Sequence, residues 1–402
     1  MRKNGVNREL TLISGGVCAP QGFRASGVFC GFTQAYGTRE DLALILADKR
    51  VPTACVFSEG GVLGATAVVS KNHMQLNRGL AQAILVNSGV ANVAESGVTL
   101  AETVCRETAK RLKLSREDIL IASTGKIGKP LLLSTYSQGL NGLITGLGVT
   151  EENSLQAARA IMSTDKYAKQ IAFSFYLGDT LCKIGAIFKG GVRTAPNMAT
   201  TLCFLTTDVC IAPETLQKAL SSAIKDSFNL LNFDGDGSPN DCVCIMANGL
   251  AGNYKITAED TEYEKFRYLL TETLLKICRA LACENEEKRL FACKAYGAKS
   301  KRAARAIARS VVSSQGVRTS LKNAAFDVES LFCAIHTAGE KVRVEEILVS
   351  VKSTKGEIVL FEDGKQAEIQ QSVLQRVFEG EEMEILLGLG KGNYFVTALG
   401  LF

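Results

Sequence analysis

The sequence predicts an α/β fold in which mixed or antiparallel β-sheets pack together under a cover of helices. Two observations carry this. Helical periodicity and short β-branched apolar runs intermingle along the chain, without the steady strand–helix alternation of a doubly wound parallel sheet. The composition is that of a globular protein: 402 residues, 46% hydrophobic and 22% charged. At about 150 residues per domain, that length suits two to three domains.

In chain order, Ala83–Val86 reads as a strand, Val98–Leu114 as a helix, Ile119–Ala122 as a strand and Glu151–Met162 as a helix. Lys183–Phe188 and Leu202–Val209 are the next strands. Pro213–Phe228 follows as a helix whose proline sits in the first turn, where its missing N–H costs nothing. Thr261–Ala282 is a long helix with Asp260 or Thr261 as cap, and Lys301–Val312 is another. Val342–Val351 and Glu357–Phe361 close the list as strands, and no internal repeat or linker separates these elements.

Several function classes are excluded on composition. The best candidate for a membrane span, Leu131–Thr150, is broken by Ser, Gln, Asn, Thr and Gly, so no run approaches the roughly 20 apolar residues a bilayer requires. Asn7, Arg8 and Glu9 stand where a signal peptide needs its apolar stretch, and the expectation is a cytoplasmic protein. The net charge of +5 does not imply nucleic acid. Its one concentrated stretch, Arg289–Arg309, holds Lys301, Arg305 and Arg309 at helical spacing, a solvated face with an anionic partner as the alternative. Thirteen cysteines, an odd number in a long chain, read as free thiols acting mostly as small buried hydrophobes. With only His73 and His336 in the chain, zinc-site spacing cannot be assembled and a histidine base is scarce.

Two glycine-rich segments fail as ligand loops. In Asp234–Asp241 the calcium-loop pattern breaks at Ser238, Pro239 and Ile245, leaving a polar turn. Gly388–Gly392 lacks the Lys-Ser or Lys-Thr of a phosphate loop and reads as a turn. There remains Lys189-Gly190-Gly191-Val192-Arg193-Thr194-Ala195-Pro196-Asn197-Met198-Ala199-Thr200, a strand end and turn ahead of a second strand. Thr200 is open to two readings: the first β-branched residue of that strand, or a nucleophile activated by its own α-amine once the preceding bond is cut. An α-amine titrates at about 7.7–8.0, suited to base work without histidine.

Gly16-Val17-Cys18-Ala19-Pro20-Gln21-Gly22-Phe23-Arg24-Ala25-Ser26-Gly27, Asn87-Ser88-Gly89-Val90-Ala91-Asn92, Ala122-Ser123-Thr124-Gly125-Lys126-Ile127-Gly128, Met162-Ser163-Thr164-Asp165 and Ala195–Thr200 appear in that order. Together they resemble the motifs of the bifunctional ornithine acetyltransferases, the glutamate N-acetyltransferases of arginine biosynthesis, from Gly15 almost to the C-terminus. The resemblance implies that family's fold, with mixed sheets sandwiched by helices and a smaller C-terminal domain. It implies self-cleavage between Ala199 and Thr200, giving an alpha chain 1–199 and a beta chain 200–402 in a two-plus-two heterotetramer. Thr200 would carry acetyl from N-acetylornithine to glutamate, with acetyl-CoA open as a further donor. Thr124 and Gly125 match the oxyanion-stabilising pair, and Thr164, Lys189 and Thr200 match substrate-binding positions. No metal, organic cofactor, nucleic acid or membrane partner is implied.

Three departures accompany the resemblance. Val192 stands where the family has glycine before the cleavage turn. Ala324 aligns with a glutamate of the family's substrate site, with Glu329 five residues on. The family's terminal segment, with an asparagine and a threonine that contact substrate, has no match before Phe402. These leave two alternatives open: a diverged threonine-nucleophile acyltransferase or amidohydrolase acting on another substrate, or a non-catalytic paralogue.

Overall fold

A computed structural model describes residues 9–32, 38–93, 96–190, 201–232, 238–283 and 289–402. They form two compact units. The larger takes in the described residues up to 190, then 201–224 and 238–277; the smaller takes in 225–232, 278–283 and 289–402.

In chain order the elements begin with β1 (Thr11–Ile13), β2 (Phe23–Val28), β3 (Leu42–Phe57), α1 (Ala65–Leu76), β4 (Leu80–Asn87), α2 (Gly97–Leu112) and β5 (Ile119–Ser123). Next come α3 (Leu133–Thr145), α4 (Glu151–Ala160), β6 (Lys169–Leu177), β7 (Thr180–Gly190), β8 (Thr201–Thr207) and α5 (Pro213–Lys225). β9 (Leu231–Asn232), β10 (Cys242–Ala247) and α6 (Thr261–Ala282) follow.

Sixteen-residue β3 organises the larger unit. Its second half pairs with β10 in the order β1-β6-β7-β8-β10-β3, while its first half lies between β2 and β4, with β5 beyond β4. The β3–β4 register breaks between Leu46 and Val51, and the single hydrogen-bonded sheet doubles back into two stacked layers. Period-two alternation sorts the side chains. Ala43, Ile45, Ile84, Val86, Leu120 and Ala122 from one layer share a buried core with Ile187, Leu202, Phe204, Cys242 and Cys244 from the other. The intervening Leu42, Leu44, Ala83, Leu85, Ile119 and Ile121 face outward onto α1, α2 and α3. On the far side, Lys276 of α6 lies 5.8 Å from the Phe173 ring of β6. Sheets sandwiched by helices are thus the observed architecture.

The smaller unit holds β9 and the remaining elements. These are β11 (Leu290–Ala298), α7 (Lys301–Ser313), α8 (Gln315–Lys322), α9 (Val328–Thr337), β12 (Ile347–Ser353), β13 (Gly356–Glu362), β14 (Lys365–Gln366), α10 (Gln371–Phe378), β15 (Met383–Leu389) and β16 (Tyr394–Leu401). Its mixed sheet runs β14-β13-β12-β15-β11-β16-β9. One apolar core joins the sheet to α7, α8, α9 and α10. Ser300 caps α7 by accepting from the Ala303 amide, and Asp327 caps α9 by accepting from Glu329 and Ser330.

All five anticipated helices are present. Two sequence readings change. Val342–Val351 becomes a strand only from Ile347, because a single 3-10 turn, Val344–Glu346, precedes it. Gly388 and Leu389, read as turn, complete β15, and the left-handed turn starts at Gly390. All thirteen cysteines are free thiols and most are buried, with desolvation pushing Cys18 and Cys30 up to about 12. No helix among the described residues is long and apolar enough to cross a membrane.

Candidate active site

Alternation along the two stacked layers places the candidate residues. Lys189 is two residues beyond inward-facing Ile187 on β7, and Thr124 is two beyond inward-facing Ala122 at the end of β5. Both therefore project into the space between the layers. The Lys189 ammonium donates to Thr124 Oγ1 at 3.2 Å and to Ser163 Oγ at 2.7 Å. Lys189 is fully buried. The second sheet layer covers it.

Asp165 ties this lysine to the strand end. Its Oδ1 accepts from the Gly190 amide at 3.1 Å and from Lys169 Nζ at 2.9 Å, and its Oδ2 accepts from the Ser163 amide at 2.9 Å. Burial by itself would raise this carboxyl. The Lys189 and Lys169 ammoniums, with the hydrogen bonds from Lys169 and Ser163, outweigh that and hold it below the ordinary carboxylate value. Thr164, between Ser163 and Asp165, is exposed.

The Thr124–Gly125 corner is held from the neighbouring strand. Thr124 donates its amide to Asn87 O at 3.0 Å, and Lys126 donates to Gly89 O at 3.0 Å. Asn87 is fixed in turn by Tyr136, whose hydroxyl donates to Asn87 Oδ1 at 2.7 Å. Behind the corner, Ser123 Oγ accepts from the Asn92 amide at 3.0 Å and lies 3.2 Å from Thr66 Oγ1; Asn240 Oδ1 is 3.4 Å from each hydroxyl. Gly125 has φ of +127°, and a Cβ there would come within 2.2 Å of the Gly89 carbonyl carbon. Gly125→Ala is accordingly expected to cost at least about 1–3 kcal/mol, measured as a lowered midpoint in thermal or urea unfolding. Gly125 is exposed, and its amide has no acceptor among the described residues.

Three motif segments thus converge with Lys189: 87–92, 122–128 and 162–165. The Gly16–Gly27 segment does not join them. Its Val17 takes hydrogen bonds with Ser154 and Thr206, and Gly185 is required because a Cβ would meet Gly16 O at 1.7 Å. Ser163, Asp165 and Lys169 are the residues sequence reasoning passed over as site components. The Asp165–Lys169 spacing of i, i+4 was visible, but nothing in sequence indicated that Lys189 would reach them. Ala199, Thr200 and Asp234–Gly237 lie outside the described residues. The next residue, Thr201, opens β8 opposite Gly190 and donates its amide to Asp241 Oδ1 at 2.6 Å. His73 is a buried core residue, with Nδ1 2.8 Å from Ile119 O and Nε2 3.3 Å from Glu102.

A buried ammonium set against a hydroxyl–amide pair can stabilise negative charge on an oxygen. The class these observations define is an α/β protein of two stacked sheet layers with a buried lysine–threonine pair between them. The ArgJ family profile matches residues 24–401, and the chain belongs to that family. The arginine biosynthesis bifunctional protein ArgJ of Caldanaerobacter subterraneus subsp. tengcongensis is 30% identical over 394 residues, 97% of this chain and 96% of the relative. That of Bacillus subtilis is 30% identical over 388 residues, 96% and 93% of the two chains. The crystal structure of the Bacillus halodurans protein of the same name aligns at 26% identity and a TM-score of 0.44, covering 48% of this chain and 98% of that one.

Proposed function

We propose that this chain is a cytoplasmic enzyme of arginine biosynthesis that transfers acetyl from N-acetylornithine to glutamate through an acetyl ester on Thr200. In this reading the chain cuts itself first. The Thr200 hydroxyl attacks the Ala199 carbonyl, the acyl group moves from nitrogen to oxygen, and water hydrolyses the ester. This leaves chains 1–199 and 200–402 and a free α-amine on Thr200 to act as base. Two copies of each chain form the assembly, acetyl-CoA serves as a further donor, and no metal or organic cofactor takes part.

The observation that carries this reading is the Lys189–Thr124 hydrogen bond. A lysine ammonium has donors only, so Thr124 Oγ1 must accept from it, and the hydroxyl hydrogen is directed elsewhere. A hydroxyl polarised in this way is a stronger donor to a developing oxyanion, and the Gly125 amide, without an acceptor among the described residues, is the natural second donor. Leu202 and Phe204, two and four residues after Thr200, face the same inter-sheet space. The burial of Lys189 favours a role through Thr124 over direct pairing with a substrate carboxylate. Exposed Thr164 keeps its assignment as a substrate contact.

Intact-mass measurement on purified protein tests the processing, with two species beginning at residues 1 and 200 expected. A panel of N-acetyl amino acids, with glutamate as acceptor, tests the transfer. Ala324 stands where the family has an acid, and a substrate ammonium without a carboxylate partner gives up about 1.5–3 kcal/mol. N-acetylornithine is therefore expected as a donor, but with weakened selectivity over donors with uncharged side chains. A single uncut species with no transfer would overturn the proposal.

A further inference from the structure

The cationic stretch singled out in the sequence becomes one wall of a cavity in the smaller unit. Lys301, Arg305 and Arg309 do share a face of α7, but the face is not simply solvated. Lys301 and Arg305 both pair with Asp226, at 2.6 and 2.5 Å, and Arg302 pairs with Glu340 at 3.1 Å. Among the described residues the Arg309 guanidinium has no acceptor, and Arg305 Nε is buried without one. Four cations against two carboxylates leave two positive charges uncompensated.

Of these, Arg302, Arg305 and Arg309 border an open cavity of about 420 Å³, with Thr337 and Ala338 at the end of α9 on its other side. Its hydroxyls are already committed as donors: Ser310 to Ala334 O, Ser313 to Arg309 O and Thr337 to Cys333 O. The donors left for a ligand are therefore those of the guanidiniums. Burial, and then the nearby Arg305, lower the Arg309 pKa, so Arg309 holds its charge at a disadvantage that an anion would relieve.

We propose that the cavity between α7 and α9 binds a small organic phosphate, with its phosphoryl oxygens taken by Arg309 and Arg305. The two uncompensated charges match a dianion, whereas a single carboxylate supplies only one. Guanidinium forks one helical turn apart suit a group presenting three oxygens. The volume lies within the range of small-molecule sites, about 300–1,000 Å³. That is far more than a bare phosphate fills, leaving room for an organic portion. This site is independent of the acetyl-transfer reading.

The test is a titration of the purified protein with inorganic pyrophosphate, with ADP and with succinate at constant ionic strength, followed by calorimetry and thermal shift. Pyrophosphate or ADP is expected to bind and raise the melting temperature, with succinate at least tenfold weaker. Arg309→Gln should bind the phosphate probe about tenfold or more weakly, the loss of a charge-assisted contact. Without ligand it should melt no lower than the parent, because it gives up no partner. That second readout separates a lost ligand site from a damaged fold. No binding at millimolar probe, equal binding by succinate, or unchanged binding in Arg309→Gln would each overturn the proposal.

Discussion

Thr200→Ala is expected to leave the protein as one uncut chain and to remove acetyl transfer by at least about four orders of magnitude. Deleting a nucleophile whose partners act as a unit typically costs that much or more. An uncut chain would be inactive for a second reason, because residue 200 would lack a free amine. Co-expressing residues 1–199 with residues 200–402 carrying Ala at position 200 removes that ambiguity. The paired halves should assemble and remain inactive, whereas halves with Thr200 should recover transfer. Cleavage of the Thr200→Ala chain, or transfer by the assembled variant halves, would show that the nucleophile lies elsewhere.

The second large effect concerns the lysine–threonine pair. Thr124→Val and Lys189→Met should each lower kcat by roughly 100- to 1,000-fold, the scale of losing one oxyanion donor. The double variant should be little worse than either, because both changes remove the same polarised hydroxyl. KM separates the two roles open to Lys189. If it acts through Thr124, kcat falls; if it holds a substrate carboxylate, KM rises with kcat nearly preserved. Lys189→Met should also move acid unfolding to higher pH. The Asp165 carboxyl lies below its unfolded value, so its contribution is present above that value and disappears as pH falls through the folded one. Removing the lysine that helps depress it raises the pH at which protonation begins. An unmoved acid midpoint would mean that Lys169 and the Ser163 amide suffice to hold the Asp165 carboxyl down.

Periodicity located the long helices because α2, α5 and α6 each run thirteen residues or more with one apolar side. The short helices α8, α9 and α10 were missed, having two to three turns from which to establish a period, and so were α1 and α3, whose twelve and thirteen residues mix Ser, Thr, Asn, Gln or Gly with the apolar ones. β3 was also missed, although it is the longest strand. Its buried first half alternates between two apolar faces and so carries no polar–apolar rhythm. For the site, Thr124, Gly125, Thr164 and Lys189 were named from motif resemblance, and the structure brings Thr124 and Lys189 into contact. Asp165 was quoted within a motif but given no task. Its importance depends on the distance from residue 165 to residues 189 and 190, which only the stacking of the layers creates.

The order β1-β6-β7-β8-β10-β3 has a consequence for a chain cut at residue 199. β8 and β10 come from the C-terminal side of the cut, yet they are inserted between β7 and β3 from the N-terminal side, hydrogen-bonded to one on each edge. Within the larger unit the two products are interleaved rather than docked, and neither retains that unit's sheet whole by itself. For the larger unit, dissociation and unfolding become the same event, so dilution should not release one product while the other keeps its part of that sheet native. Refolding changes kinetic order: an intact chain closes this sheet in a first-order process, whereas the nicked protein must find its other half by collision. Denatured nicked protein should regain structure at a rate proportional to its concentration, while the Thr200→Ala chain refolds at a rate independent of it. Processing would thus make the native assembly persistent by kinetics, and far harder to rebuild once lost.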